Sequence, residues 1–404
     1  MINCFIPFLS LPQAGQTVRA LRLCDRIKNI YLLATEKIPG EVEGCSILMI
    51  DSFASTATYR TIALHADTAY TLLYTKYTVF EPGQFAFERL LAIAGDTNAG
   101  MLYADRYQVE GGNRKPAPVI DYQKGSLRDD FDFGSLLFFR SSVLKQAVRA
   151  MDADYRFAGL YDLRLRVSEL SELVHVNEYL YSEVETDTRK SGEKLFDYVD
   201  PKNRAVQIEM ESVCTAYLKR VGGYLAPGFE PISFDIDGFE QEASVIIPVR
   251  NRIRTIEDAI RSVLMQETTF RFNLIIVDNH STDGTSEAIE KYTADKRVIH
   301  LIPERFDLGI GGCWNVGVHH PACGKFAVQL DSDDVYSGPD TLQKIVNAFY
   351  EQNCAMVVGT YRMTDFKMNE IPPGIIDHRE WTLENGRNNA LRINGLGAPR
   401  AFYT

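Results

Sequence analysis

The sequence predicts an α/β protein with mainly parallel sheets, divided into two domains. Short β-rich runs alternate with helical segments in both halves. At 404 residues the chain exceeds the roughly 250–300 residues that one hydrophobic core supports. The stretch from Gly222 to Glu242 is rich in Gly, Pro and acids and lacks helical periodicity, which marks a boundary. The expected organisation is a first domain over residues 1–222, a linker over 223–241 and a second domain over 242–404.

Composition narrows the function classes. With 54 acidic against 43 basic residues the formal charge is −11, so the molecule as a whole repels phosphate backbones, and general nucleic-acid binding is not expected. A hydrophobic fraction of 45% excludes disorder as the main state. No apolar run approaches the eighteen or so residues that cross a bilayer. The first basic residue is Arg19, so the apolar opening Ile2–Leu11 lacks the charged leader of a secretory signal and reads as a buried strand. A cytoplasmic location is expected, with association at the inner face of the membrane left open. Seven scattered cysteines, none in a C-x-x-C pair, fit reduced and mostly buried thiols. Cys313, His319, His320 and Cys323 lie close together, but their spacing matches no zinc pattern, and Trp314–His319 reads as helical; structural roles are expected.

In the second half, Ala243–Pro248 is an apolar strand, followed by a helix over Thr255–Gln266 with Ile256, Ala259, Ile260 and Val263 on one face. Asn273–Val277 is the next strand and runs into the polar loop from Asp278 to Thr285. A third strand, Val298–Ile302, precedes a glycine-rich loop, Gly309–Gly312, where backbone could approach a ligand. A fourth, Phe326–Leu330, ends in Asp331-Ser332-Asp333-Asp334. Carboxylates therefore stand at the carboxyl ends of successive strands, where open parallel sheets bind ligands. Asp331 and Asp333 offer a hard oxygen site for Mg²⁺ or Mn²⁺, and Asp278 could accept hydrogen bonds from a base or ribose.

The first half carries a faint copy of this pattern. Pro7 sits like Pro248, Ile30–Leu33 like Leu274–Val277, and Thr71–Tyr74 like Ala327–Leu330. In that alignment Ala34 replaces Asp278, Tyr59 replaces Asn315, and Thr75 and Tyr77 replace Asp331 and Asp333. The first copy has lost its carboxylates. Its tyrosines read mainly as half-buried packing residues. The mixed charges from Glu183 to Asp200 read as a solvated face.

Ser244-Val245-Ile246-Ile247-Pro248-Val249-Arg250-Asn251, the run Ile275–Thr285, Gly312-Cys313-Trp314-Asn315-Val316-Gly317 and Leu330-Asp331-Ser332-Asp333-Asp334 together resemble the inverting family-two nucleotide-sugar glycosyltransferases. The resemblance implies two tandem Rossmann-like GT-A domains, the first degenerate. It also implies transfer of a sugar from a nucleoside-diphosphate sugar to a glycan or lipid-linked acceptor. The nucleotide-binding set it implies is Pro248, Val249, Arg250, Asn251, Asp278, Asn315, Asp331 and Ser332, with Asp331 and Asp333 holding Mn²⁺ or Mg²⁺. The cation would offset charge growing on the diphosphate leaving group, while a carboxylate base activates the acceptor hydroxyl. The family's base lies in a Glu-Asp pair downstream of the D-x-D. The second domain stops at Thr404 before reaching it, and so reads as truncated; Asp365, Asp377, Glu380 and Glu384 read as surface acids. In the first domain Gly159–Arg166 resembles that stretch, with Tyr161 in place of the Glu and Asp162 at the base position. A sugar nucleotidyltransferase would need a Gly-x-Gly-x-Arg turn that Pro248–Asn251 is not. A non-catalytic glycan- or nucleotide-binding scaffold is the reading from another class.

Overall fold

A computed structural model describes residues 1–184, 204–235, 238–378, 381–382, 385–393, 396–397 and 399–404. The chain forms two compact units. The first comprises Met1–Leu225 together with Arg379–Ile393, and the second Ala226–His378 with Asn394–Thr404. The first boundary between them along the chain is Leu225/Ala226. The segment Arg379–Ile393 joins the first unit because its polar side chains find partners there. Arg392 is fully buried, ion-paired with Asp129 and hydrogen-bonded to Gln207, and Asn388 donates to Thr215 Oγ1 at 2.6 Å.

In unit 1 the chain runs β1 (Ile2–Pro7), α1 (Leu11–Arg22), β2 (Ile27–Ala34), β3 (Ser46–Met49), α2 (Thr56–His65), β4 (Tyr70–Tyr74), β5 (Val79–Pro82), α3 (Ala86–Thr97), β6 (Met101–Glu110), β7 (Asn113–Ala117), β8 (Leu136–Arg140), α4 (Ser141–Arg149), α5 (Gly159–Leu170), β9 (Leu173–Val184) and α6 (Arg204–Val221). The sheet order is β3-β2-β1-β4-β8-β6-β9-β5, with β7 on β6. Local chemistry sets the helix starts: Ser10 and Ser55 cap α1 and α2, each accepting a backbone N–H three residues on.

Unit 2 runs β10 (Ala243–Val249), α7 (Ile256–Leu264), β11 (Phe272–Asp278), α8 (Thr285–Glu290), β12 (Val298–Leu301), α9 (Gly309–Val318), β13 (Phe326–Gln329), α10 (Thr341–Gln352), β14 (Met356–Val358), the hairpin β15 (Tyr361–Thr364) and β16 (Glu370–Ile376), and β17 (Arg400–Tyr403). Its main sheet is ordered β12-β11-β10-β13-β17-β14, the first four strands parallel and β17 antiparallel to both neighbours. The strands read as continuous apolar runs because both faces are covered. Val245, Ile247, Leu274 and Ile276 pack with Ile256, Ile260 and Val263 of α7, whereas Ile246, Ile275 and Val277 pack with Cys313 of α9. The glycine-rich segment Gly309–Gly312, expected as a loop, forms the first turn of α9 instead. There the helix supplies the backbone N–H groups that a loop was expected to present.

The two sheets share one strand order through five strands, and their registers agree residue by residue. Cys4 pairs with Ile30 as Val245 pairs with Leu274, and Asn3 with Thr71 as Ser244 with Ala327. On the antiparallel side Thr71 faces Phe139 as Ala327 faces Phe402. A buried polar pair repeats too. Asn29 donates to Asn3 Oδ1 in one sheet, and Ser244 donates to Asn273 Oδ1 at the same place in the other. In each, one amide of the pair ties the strand to the loop ahead of the next parallel strand: Asn3 to the His65 carbonyl, Asn273 to that of Ala322, both at 2.7 Å. In this register Thr404 follows β17 where Ser141 follows β8.

All seven cysteines are unpaired, and Cys4, Cys214, Cys313 and Cys323 are buried. His319 Nδ1 lies 2.8 Å from the Asn315 carbonyl, and His320 Nδ1 accepts from the Ala322 N–H. Among the described residues no helix is long and apolar enough to cross a membrane. Close packing of α9 on the sheet requires Gly317: a Cβ there would stand 2.6 Å from Ile246 Cγ2. Gly317→Ala should cost about 1–3 kcal/mol, read as a lowered thermal midpoint. An unchanged midpoint would mean that α9 does not lie this close.

Candidate nucleotide-sugar site

The site is built where β10, β11 and β13 end. Val249 lies opposite Asp278, the Asn279 N–H donates to the Val249 carbonyl at 2.8 Å, and the Leu330 N–H donates to Ile246 at 3.1 Å. Because β10 and β11 end level, their loops emerge side by side and bond to each other, whereas β13 ends three residues earlier, opposite Ile246. Asn251 adopts the left-handed conformation (φ 55°) that Asn tolerates better than most residues. Its N–H donates to Ser281 Oγ at 2.9 Å, while its Oδ1 accepts the Thr282 N–H at 2.8 Å. The Arg252 N–H donates to Thr285 Oγ1 at 2.8 Å, and the Ile253 N–H to Asp283 Oδ2 at 3.2 Å. With the Thr282 hydroxyl also donating to Asn251 Oδ1, five hydrogen bonds join the loop after β10 to the segment from Ser281 to Thr285.

Asp278 is fully buried and anchors this construction. It accepts the Ser281 N–H at 2.9 Å and the Ser286 hydroxyl, and His300 Nε2 lies 3.6 Å from its Oδ2. Burial opposes its charge, but His300, Ser286 and Ser281 outweigh that and hold the carboxyl far below the usual carboxylate range. His300 in turn is raised above its ordinary value, first by Asp278, against burial, and then by Glu290 at 3.4 Å. Asp278 therefore spends its oxygens on the loop and on His300. The neighbouring Asn279 is the residue with capacity left: it is 7% exposed, and its Oδ1 is buried without a hydrogen-bond partner. A lone amide beside a conspicuous Asp carries no sequence signal of that kind.

The remaining expected residues fall into two groups. Pro248 and Val249 are buried in β10, so the sheet uses their side chains and only backbone could meet a ligand. Arg250 and Asn251 are exposed on the loop, Asn315 is exposed on α9, and Ser332 is buried. After β13, Asp331 is half-buried and accepts from Gln329 Nε2 at 3.1 Å, while Asp333 is exposed, with Arg252 Nε 3.8 Å from its Oδ2. Arg252 thus brings the β10 loop to the acidic turn. Asp334 is exposed as a residue, yet burial of its carboxyl group and then the charges of Asp331 and Asp333 push it up to about 6. The three acids do not form a set of oxygens all within 4.8 Å of one another. Mg²⁺ needs only one or two carboxylates when a substrate's phosphates complete its shell, so the turn fits that role.

In unit 1 the aligned turn is Thr75-Lys76-Tyr77. Lys76 Nζ is ion-paired with Glu183, which is fully buried and also faces Arg106 Nε at 3.2 Å. Glu183 is therefore not on a solvated face, and the other charged residues of that stretch, from Asp187 to Asp200, lie outside the described residues. Asp162 is buried on α5, held by Arg166 at 2.9 Å with Oδ2 unpartnered, and burial, partly offset by Arg166 and Arg220, raises its pKa. Glu209 holds the segment that leads into α5 by accepting the N–H groups of Arg156, Phe157 and Ala158. Asp365 closes the turn between β15 and β16 by accepting from Lys367 and Asn369, and Asp377 is half-buried; Glu380 and Glu384 lie outside the described residues.

The family model for glycosyl transferase family 2 matches residues 244–401, the span that carries these loops. The second half is a family-two glycosyltransferase domain. An uncharacterized glycosyltransferase of Rickettsia felis is 39% identical over 97 residues, 24% of this chain and 15% of that protein. The putative teichuronic acid biosynthesis glycosyltransferase TuaG of Bacillus subtilis is 33% identical over 120 residues, 30% of this chain and 46% of that protein. The chain thus spans less than half the length of either relative. The structure of Staphylococcus aureus TarS residues 1–349 with UDP-GlcNAc aligns over 40% of this chain and 45% of that one, at 25% identity and a TM-score of 0.33.

Two predictions test the loop framework. Asn251→Ala should cost roughly 1–2 kcal/mol for the left-handed backbone and about 1 kcal/mol for the lost hydrogen bond. Asn251→Gly should lose only the second part, as measured by equilibrium unfolding. The stabilisation from His300 should be complete below its ordinary value of 6.5 and fade as pH rises through its raised value in the folded protein. The contribution of Asp278 should persist above 3.8 and fade only in strong acid. The gap in thermal midpoint between parent and His300→Gln should therefore narrow above about pH 6.5; a gap that is constant with pH would contradict the pairing.

Proposed function

We propose that unit 2 binds a nucleoside-diphosphate sugar with Mn²⁺ or Mg²⁺, and that the protein transfers the sugar, with inversion, to a glycan or lipid-linked acceptor. The observation that carries this reading is the joining of the β10 and β11 loops beside an acidic turn of three carboxylates, to whose Asp333 the Arg252 side chain reaches. Three crowded carboxylates are costly unless a cation shares the site, and hard oxygens suit a hard divalent ion. Asp331 and Asp333 would hold that ion, which when bound supplies charge compensation for the diphosphate leaving group. Asn279 offers an unpaired amide oxygen to an N–H on the edge of the base. Asn251 and Asp278 fix the loop that presents it. Arg250 and Arg252 add positive charge for the phosphates. Polysaccharide synthesis is the named role of the Bacillus relative, and we place this protein in that class of reaction, in the cytoplasm against the membrane's inner face.

On the same reading, unit 1 is a GT-A-like domain that binds no metal. Lys76 there provides a fixed positive charge at the position of Ser332, between the sites of the two metal-binding acids, and Glu183 neutralises it. Its Asp162 stands at the family's base position, but the aligned turn, Thr75-Lys76-Tyr77, brings it no carboxylate.

Uridine or guanosine diphosphate should raise the thermal stability of the full chain only when Mn²⁺ or Mg²⁺ is present, by about 2.7 kcal/mol at a hundredfold excess over Kd. Asp333→Ala should abolish the response, and calorimetry should find one nucleotide per chain. Metal-independent stabilisation, or two metal-dependent sites, would overturn the assignment.

A further inference from the structure

Asp331 does not stand alone. Arg400 Nε donates to Gln329 Oε1 at 2.7 Å, and Gln329 Nε2 donates to Asp331 Oδ1 at 3.1 Å. Gln329 is 5% exposed on β13, and Arg400 begins β17, the antiparallel neighbour of β13. Chemistry fixes the direction of this chain. Arginine can only donate, so the amide must turn its oxygen toward Arg400 and its NH₂ toward the carboxylate. One oxygen of Asp331 is thereby tied, and the group's rotation is set before any ligand arrives.

The other sheet supplies an internal comparison. In the shared register Gln329 corresponds to Leu73 and Arg400 to Leu137, two residues that pair directly across β4 and β8. Asp331 corresponds to Thr75. All three positions differ together: the sheet that lacks the carboxylate also lacks the amide and the guanidinium. A purely architectural Arg–Gln bond would have no reason to disappear with an acid outside the core.

We infer that Arg400 and Gln329 are positioning residues for Asp331, a relay that presets its carboxylate for the cation and nucleotide. The inference rests on the reading of unit 2 as the donor site. Outer-shell partners of ligating carboxylates typically contribute 10–100-fold to metal affinity, because the ligand then loses no rotational freedom on binding.

The test is Mn²⁺ binding to the full chain in the presence of uridine diphosphate, followed by electron paramagnetic resonance. Gln329→Leu leaves Arg400 without its acceptor and could disturb folding, so the decisive variant is Gln329→Leu/Arg400→Leu, which copies the pairing that already folds in the first sheet. It should keep the parent's thermal midpoint and weaken Mn²⁺ binding 10–100-fold. Arg400→Lys, which keeps a donor, should recover part of the loss, and in turnover the donor KM should rise more than kcat falls. Parent-like Mn²⁺ affinity in the double variant, with Asp333→Ala abolishing binding, would overturn the relay alone. Mn²⁺ binding that survives Asp333→Ala in the parent would overturn the site assignment beneath it.

Discussion

The level ending of β10 and β11 is the constraint on which the site depends. With Val249 opposite Asp278, the loops after β10 and β11 leave the same end of the sheet side by side, while the turn after β13 starts three residues lower, beside Ile246. Asn251, Ser281, Thr282, Asp283 and Thr285 turn that crowding into a bonded framework, and Arg252 extends it to Asp333. A shift of one residue in the β10–β11 register would turn each side chain of the shifted strand to the opposite face and separate the donors from their acceptors. The apolar runs that hold the register therefore do functional work at a distance.

The first sheet shows how far the frame can be separated from the chemistry. It keeps the strand order, the register and even the buried polar pair at the strand starts, while the acidic turn has become Thr75-Lys76-Tyr77. A lysine placed there must find an anion, and Glu183, fully buried and shared with Arg106, supplies it. Such a pair is a poor source of net stability, since Glu183 gives up its hydration while the Lys76 side chain stays partly in solvent. It does satisfy the charge that the altered turn brings in. Asp162 remains as a buried, raised carboxyl without the acidic turn that would accompany it in the family.

Much of this was legible in the sequence, because hydrophobic strands and strand-end carboxylates report themselves locally. Pairing Pro7 with Pro248, Ile30 with Leu274 and Thr71 with Ala327 anticipated the observed registers, since a strand's apolar run and its terminal proline move together. What escaped was non-local. Arg400 reads as an unremarkable residue near the end of the sequence until β17 folds antiparallel beside β13. Asn279 is overshadowed by Asp278, whose burial and full set of donors no linear pattern reveals. Glu183 looks solvated among charged neighbours, and its burial follows from the pairing of β9 with β6 and β5. Gly309–Gly312 reads as a loop by composition, yet helical hydrogen bonds and packing under Leu308 override the weak helix propensity of its three glycines. Residues 385–393, sequence neighbours of unit 2, fold with unit 1 because Arg392 is matched there by Asp129 and Gln207.

The most direct measurement is anomalous diffraction at the manganese edge from crystals of the full chain grown with Mn²⁺ and uridine diphosphate. A single strong peak beside the carboxylates of Asp331 and Asp333, with nucleotide density reaching Asn279 and no peak at Lys76, is the result this account predicts. A peak at another acidic cluster, such as Cys24, Asp25 and Glu88, with none at the turn after β13, would contradict it.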